Sequence, residues 1–93
     1  MAYVWDNTKA GLNFIKHSVT FEYATRVFFD PHRVEVEDAR RDYGEKRVAV
    51  FAEIDKRVYV VTYTRRTGDI RIISARKGNS REQKKYYALR AES

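Results

Sequence analysis

The chain contains no cysteine, one proline and four glycines among its 93 residues. Without cysteine it forms neither disulfides nor thiolate metal sites, and two histidines are too few for a structural zinc, so we expect no metal and no cofactor. The shortage of glycine and proline excludes a disordered or low-complexity chain. Apolar runs are short, as at residues 58–61, and no segment has the length of a membrane span or the pattern of a signal peptide. We therefore expect one soluble, cytoplasmic domain at residues 1–93.

Positive charge is concentrated in the last third of the chain. The net charge is +6, yet residues 1–64 hold ten basic and ten acidic residues, whereas residues 65–93 hold nine basic and three acidic ones. Clustered Lys and Arg favour a phosphate backbone as partner, because each neutralised phosphate releases counterions. The alternative is a solvated basic helix that has no anionic partner.

Two N-terminal segments have the spacing of helices. Asp6 is a good N-cap for residues 6–17, where apolar side chains recur every three or four positions. Thr20 is a second N-cap, and the apolar positions behind it predict a helix up to Phe29. An Asp-Pro pair follows and ends this helix, since proline disfavours helical backbone in the residue before it.

After the proline the pattern changes to the alternation of β strands. The four predicted strands are residues 32–38, 48–54, 57–64 and 70–75, with a charged loop at residues 37–46 and two short turns between them. The third of these strands is apolar on both faces, which indicates a central position. Short turns connect antiparallel neighbours, so we expect a four-stranded antiparallel meander.

The C-terminal segment is predicted to be a helix that begins at a capping box of Ser80 and Gln83. Tyr86 and Leu89 lie three positions apart and are expected to face the sheet. The basic residues line the solvent side of this helix: Arg81, Lys84, Lys85 and Arg90. Together the segments predict an α+β fold of two N-terminal helices, a four-stranded antiparallel sheet and a C-terminal helix.

The motifs of several enzyme classes are missing. The sequence has no GxxxxGKS/T, GxGxxG or GxSxG pattern, which excludes P-loop hydrolysis and dinucleotide-dependent redox chemistry. RNA cleavage needs none of these parts, because the 2′-hydroxyl of the RNA is itself the nucleophile. The protein has to position that hydroxyl, exchange protons and stabilise charge on the phosphate, and His, Glu, Lys, Tyr and Arg suit those tasks.

Several residues are candidates for that chemistry, each with a structural alternative. His17 ends the first helix, where it is either a structural cap or a general acid or base. Arg40 and Arg41 lie in the charged loop, where surface ion pairs are the favoured alternative to a phosphate clamp. Arg71 and Arg76 flank an apolar stretch of the last strand, where phosphate contact and pairing with a buried carboxylate are both open.

Several short segments follow one another in a specific order. They are VWDNTK, an asparagine, KHSVTF, an Asp-Pro pair, EDARRDYGEKR, a Val-x-Tyr-Thr strand, RIISAR and a closing RE followed by KYY. Over residues 3–87 this order and spacing resembles the BrnT family of ribonuclease toxins. The resemblance implies a RelE-like fold, which agrees with the predicted elements, and an endoribonuclease that uses no metal and halts growth by cutting cellular RNA.

The resemblance also implies partners and site residues. The expected partner is BrnA, a small antitoxin with a ribbon-helix-helix DNA-binding region, whose complex with the toxin binds and represses its own promoter. The family's Lys-His pair corresponds to Lys16 and His17, and its loop arginine to Arg40, and we expect these residues and Arg76 to be catalytic. The clustered charge of the C-terminal third gives the expected RNA-binding residues, which are Arg71, Lys77, Arg81, Lys84 and Lys85. The alternative function is a non-catalytic module that binds nucleic acid or a protein partner.

Overall fold

The computed structural model describes residues 1–40 and 42–93. It is an α+β structure in which one sheet carries helices on both faces. The strands are β1 (Tyr3–Val4), β2 (Val34–Glu37), β3 (Arg47–Ile54), β4 (Arg57–Arg66) and β5 (Asp69–Lys77). The helices are α1 (Asn7–His17), α2 (Phe21–Ala24), a 3₁₀ helix (Thr25–Phe29) and α3 (Ser80–Ala91).

The sheet has five strands in the order β1-β5-β4-β3-β2. The four predicted strands are present and pair as antiparallel neighbours. The prediction of a purely antiparallel sheet is wrong, because Tyr3 and Val4 form a fifth strand that runs parallel to β5 beside Ile70 and Arg71. A two-residue strand is too short to show alternation, so periodicity could not predict it.

The N-terminal helices follow the sequence prediction with one difference. The Asp6 side chain caps α1 by accepting a hydrogen bond from the Lys9 amide at 3.0 Å. The predicted second helix has the expected extent, but it is α-helical only to Ala24 and continues as a 3₁₀ helix to Phe29. Short 3₁₀ segments commonly finish α-helices, and hydrophobic spacing does not separate the two forms.

Both short turns of the meander have left-handed backbone. Asp55 and Lys56, between β3 and β4, have φ angles of 50° and 66°. Thr67 and Gly68, between β4 and β5, have φ angles of 48° and 86°. Two-residue loops with positive φ match the twist of antiparallel strands, so these turns set the register that brings distant residues of β3, β4 and β5 side by side.

The N-cap of helix α3 is Asn79, one residue before the predicted N-cap Ser80. The Asn79 side chain accepts from the Glu82 amide at 2.8 Å, and the Glu82 carboxylate accepts from the Asn79 amide at 2.9 Å. The predicted capping box of Ser80 and Gln83 is therefore wrong by one position, since both pairs have the same spacing and the carboxylate forms the stronger, charge-assisted bond.

The inner face of α3 is only partly as predicted. Tyr86 is buried, as expected, whereas Leu89 is 41% exposed and does not pack fully on the sheet. Arg90 is not a purely solvent-facing residue, because it pairs with Glu53 of β3 at 3.4 Å. A helix that lies obliquely on a sheet covers it unevenly, which residue spacing alone does not show.

The hydrophobic core lies between one face of the sheet and the N-terminal helices. Val50, Val61 and Ala75 lie side by side on β3, β4 and β5 and are fully buried. Because side chains alternate along a strand, Phe51 and Arg76 point to the opposite face. Helix α3 covers part of that second face and leaves the rest open.

Candidate functional site

Arg76, near the end of β5, forms a two-point ion pair with Glu82 in the first turn of α3. Its Nη1 and Nη2 donate to the two carboxylate oxygens at 2.8 and 2.9 Å. This hydrogen bonding lowers the pKa of the Glu82 carboxyl and raises the pKa of the Arg76 guanidinium. A guanidinium has five N–H donors, so the pair with Glu82 does not exhaust its capacity to bind an anion.

Arg40, in the loop after β2, is held in a similar way. Its Nε and Nη2 donate to the two oxygens of Asp38 at 2.8 and 2.9 Å, while the Arg40 side chain stays 81% exposed. The hydrogen bond from Arg40 holds the pKa of the Asp38 carboxyl at about 2. The predicted ion pair is confirmed for Arg40, and Arg41 lies outside the described residues.

Arg40 and Arg76 line one groove, although they are far apart in the sequence. The groove has a volume of about 340 Å³. The charge of Arg40 lies close enough to Arg76 to oppose its protonated form, although the Glu82 carboxylate outweighs that effect on the Arg76 pKa. The lining residues are Val36, Glu37, Asp38, Ala39, Arg40, Ala49, Phe51, Val60, Thr62, Ser74, Arg76 and Glu82.

The groove also contains two hydroxyl groups, and a third acidic residue, Glu37, belongs to its lining. Thr62 of β4 and Ser74 of β5 are direct neighbours across the two strands, and both line the groove. Glu37, at the end of β2, pairs with Lys46 at 3.3 Å. Guanidinium and hydroxyl groups are the side chains that commonly contact phosphate oxygens, so the arrangement suits a phosphate with a carboxylate near it.

A second, largely apolar cavity of about 280 Å³, which we call the α3 slot, adjoins the groove. It lies between α3 and β2 and shares Val36, Phe51 and Glu82 with the groove. Two predicted RNA-binding residues, Arg81 and Lys85, belong to its lining. The complete lining is Val34, Val36, Phe51, Arg81, Glu82, Lys85, Tyr86 and Leu89.

The position of α3, and with it Glu82, depends on a buried contact between Tyr86 and Asp30. The Tyr86 hydroxyl donates to Asp30, whose carboxylate also accepts the amides of Glu53 and His32 at 2.8 Å each. Burial opposes ionisation of Asp30, but these hydrogen bonds outweigh it and lower its pKa. Burial and the bond to Asp30 raise the pKa of Tyr86. The network connects α3 to β3 and to the start of the segment that leads into β2.

The other predicted site residues lie elsewhere. Lys16 and His17 are the last residues of α1 and do not belong to the groove lining among the described residues. Alternation along β5 turns Lys77 to the face opposite Arg76. Arg71 shares the face of Arg76 but lies near Asp6, whose pKa is lowered chiefly by the Lys9 amide and slightly by Arg71. Lys84 is exposed on α3, outside both cavities.

Asn13 belongs to the segments that resemble the BrnT family, and its side chain has a structural role. Its amide oxygen accepts from the Ala75 amide at 3.1 Å, and its nitrogen donates to the Ala75 and Val19 carbonyls at 2.9 and 3.0 Å. The Asn13 side chain thus continues the hydrogen bonding of β5 where β1 ends, and it fixes α1 to the sheet.

Sequence reasoning did not identify Glu82 as the partner of Arg76, and it left the partner of Arg40 open among the acidic residues of the loop. Glu82 could have been found, because Asn79 and Glu82 have the spacing of a capping box just after the RIISAR segment. Asp38 is two residues before Arg40, but many acidic residues surround that loop and nothing in the pattern distinguishes it. Across residues 1–40 and 42–93, no group of three or more His, Asp and Glu side chains is placed to hold a metal ion.

The fold and the groove define a small, basic α+β domain with an arginine-lined site suited to an anionic ligand. The chain belongs to the BrnT family: residues 5–82 match the model of the ribonuclease toxin, BrnT, of type II toxin–antitoxin systems. This match confirms the resemblance seen in the sequence, and it makes the chain a toxin-family ribonuclease with RNA as substrate and an antitoxin as partner. No curated protein sequence matches the chain. None of the helices in the described part of the chain is long and apolar enough to cross a membrane.

Proposed function

We propose that the chain is a metal-independent endoribonuclease that cleaves cellular RNA in the cytoplasm and so inhibits translation and growth. The observation that carries the proposal is the shared groove of Arg40 and Arg76, which come from different elements and are each oriented by a carboxylate. Two oriented guanidinium groups match the geometry of phosphate oxygens. The family description supplies the class of substrate.

In the proposed reaction, Arg40 and Arg76 hold the scissile phosphate while the 2′-hydroxyl of the RNA attacks it. A bond forms between the 2′-oxygen and phosphorus, and the bond to the 5′-oxygen breaks as that oxygen takes a proton from solvent water. The products end in a 2′,3′-cyclic phosphate and a 5′-hydroxyl. The two guanidinium groups stabilise the additional negative charge of the pentacovalent phosphate. The nucleophile belongs to the substrate, so the mechanism requires no metal.

The reaction also requires a group that accepts the proton of the 2′-hydroxyl. In the groove, Asp38 and Glu82 are tied to arginines that lower their pKa values, which makes both carboxylates weak bases. We assign proton acceptance to Glu37. Its contact with Lys46 is 3.3 Å, longer than the contacts of Asp38 and Glu82 with their arginines. The assignment competes with Lys16 and His17, the acid–base candidates from the sequence.

The RNA chain is proposed to extend from the groove over the basic residues of the C-terminal third. Arg81 and Lys85, which belong to the lining of the adjoining α3 slot, would meet the next phosphates without the RNA entering the slot. The more distant residues would contact flanking RNA through charge alone and add to affinity without sequence preference. These are Arg71, Lys77 and Lys84.

We further propose that the antitoxin is a ribbon-helix-helix protein and that the toxin–antitoxin hetero-oligomer binds its own promoter DNA. The type II class of the family supports a protein antitoxin. A mobility-shift assay with the promoter fragment tests the proposal. The complex should retard the DNA and the toxin alone should not; retardation by the toxin alone would contradict it.

The test of the catalytic proposal is cleavage of purified RNA in EDTA by single-site variants. Arg40→Ala and Arg76→Ala should each lower the cleavage rate about 100-fold, and Glu37→Gln should lower it as well. The matched control is Arg33→Ala, because Arg33 pairs with Glu35 at 2.9 Å outside the groove.

Three results would contradict parts of this proposal. Activity that is lost in EDTA and restored by Mg²⁺ contradicts the metal-independent mechanism. Loss of cleavage in Lys16→Ala or His17→Ala, with full activity in the groove variants, moves the site to the end of α1. RNA binding without cleavage by the wild-type chain supports the alternative of a non-catalytic binding module.

A further inference from the structure

The α3 slot has the apolar, solvent-accessible lining that is typical of a protein-binding site. Val34 and Val36 of β2, Leu89 of α3 and the rings of Phe51 and Tyr86 form an apolar interior. Val36 is 50% exposed and Leu89 is 41% exposed, so the slot opens to solvent with aliphatic groups at its mouth. Exposed apolar surface that forms a cavity is typical of sites that another molecule covers.

The strand that forms one wall of this slot is also the edge of the sheet. β2 pairs with β3 on one side, and no strand in the described part of the chain pairs with its other side. An edge strand beside an apolar cavity can receive an extended segment of another protein. Main-chain hydrogen bonds then join the two strands, and alternate side chains of the added segment enter the cavity.

We propose that the α3 slot and the outer edge of β2 bind an extended segment of the antitoxin in which acidic and aliphatic residues alternate. The aliphatic side chains would fill the slot between Val36 and Leu89. The acidic ones would meet Arg81 and Lys85, which belong to the same lining, and would complement the net charge of +6.

The polarity of the slot favours such a segment over a nucleobase. The Tyr86 hydroxyl is engaged by Asp30, and the Glu82 carboxylate is engaged by Arg76. Apart from Arg81 and Lys85, which only donate hydrogen bonds, the remaining walls are apolar, whereas a base buried there also needs acceptors for its edge N–H groups. A peptide segment instead satisfies its own polar groups along the strand edge.

The position of the slot also gives a route to neutralisation. The slot and the groove share Val36, Phe51 and Glu82, so a segment seated in the slot covers one side of the groove and excludes RNA. This consequence rests on the proposed function, whereas the binding itself rests only on the family's antitoxin partner and on the surface.

The test is calorimetric titration of the toxin variants with the purified cognate antitoxin. Leu89→Asp should weaken binding about 10- to 100-fold, the effect of losing one or two buried aliphatic contacts. Leu89→Ala should weaken it less and preserves the helix if the aspartate disturbs folding. Ile15→Asp is the matched control, because Ile15 is 81% exposed in the last turn of α1. Unchanged affinity in both Leu89 variants, or a larger loss in Ile15→Asp, would overturn the proposal.

Hydrogen exchange and RNA cleavage distinguish the remaining outcomes. Antitoxin binding should slow amide exchange in Val34–Glu37 and leave α1 unaffected; protection confined to α1 would refute the assigned surface. Leu89→Asp should still cleave RNA, and loss of cleavage with full antitoxin affinity would show that RNA occupies the slot. Calorimetry does not depend on cleavage, so an inactive wild-type chain would contradict the proposed function and leave the binding result interpretable.

Discussion

The Arg76 guanidinium and the Glu82 carboxylate join the end of β5 to the first turn of α3 through two hydrogen bonds of 2.8 and 2.9 Å. The same carboxylate accepts the Asn79 amide and completes the capping box of α3. One acidic side chain therefore both starts the helix and orients a groove arginine. A change at this position affects stability and site geometry together, and the two effects can be separated.

Glu82→Gln should keep most of the helix cap but lose the charge that holds Arg76. We expect a small change in melting temperature and a clear fall in RNA cleavage. Glu82→Ala should in addition destabilise the fold by about 0.5–2 kcal/mol, the usual cost of losing a cap. Thermal melting and cleavage assays measure the two effects. Glu92→Gln, at the other end of α3, is the control and should alter neither.

Removing the Asn13 side chain should destabilise the sheet edge. Asn13→Leu leaves the amide and carbonyl of Ala75 without their partner, and we expect a loss of about 2–4 kcal/mol in the free energy of unfolding. Leu12→Ala is a suitable neighbour for comparison, because Leu12 is 62% exposed on the same helix. Denaturant titration measures both, and equal losses would contradict the assigned role of Asn13.

Tyr86→Phe and Tyr87→Phe form a matched pair of hydroxyl deletions. The Tyr86 hydroxyl donates to buried Asp30, whereas the Tyr87 hydroxyl donates at 2.6 Å to Glu53 at a more exposed position. We expect Tyr86→Phe to destabilise the fold by about 1–3 kcal/mol and Tyr87→Phe by less than about 1 kcal/mol. The reverse order in chemical denaturation would show that the buried network does not anchor α3.

The free energy of unfolding should fall in acid. The pKa of Asp30 is lowered in the folded state from its ordinary value of 3.8, so its ionised form stabilises the fold above that pH. This contribution is lost as the pH falls below about 4 and through the folded-state pKa. Asp30→Asn should flatten the pH dependence in that range. Asp42→Asn, in an exposed loop, is the matched control.

Local patterns predicted most of the elements of the fold. Asp6 and Thr20 mark the starts of α1 and α2 because a side-chain oxygen satisfies free backbone amides at a helix start. Alternation located β3, whose buried positions recur with a period of two, and a continuous apolar run located the central strand β4, which is buried on both faces. Strand β1 has two residues, and its pairing with β5 depends on a contact distant in sequence, so local patterns could not reveal it.

The sequence predicted several residues of the candidate site but not which of them lie close together. Arg40 and Arg76 were expected from the charged loop and the RIISAR segment, and the register of the sheet brings them into one groove. The same set of expected residues included Lys16 and His17, which lie at the end of α1. Chemistry and resemblance select residue types, whereas the distances between them depend on how the strands and helices pack.

The sequence by itself determined the class of the protein, the excess of positive charge and the apolar patterns that build the strands. Those properties follow from composition and from interactions between residues close in the chain. Only the tertiary structure decided that Glu82 and Asp38 orient the two groove arginines and that an apolar slot lies beside the edge strand β2. Both depend on side chains that meet across the sheet and α3, and strand register and helix docking place them there.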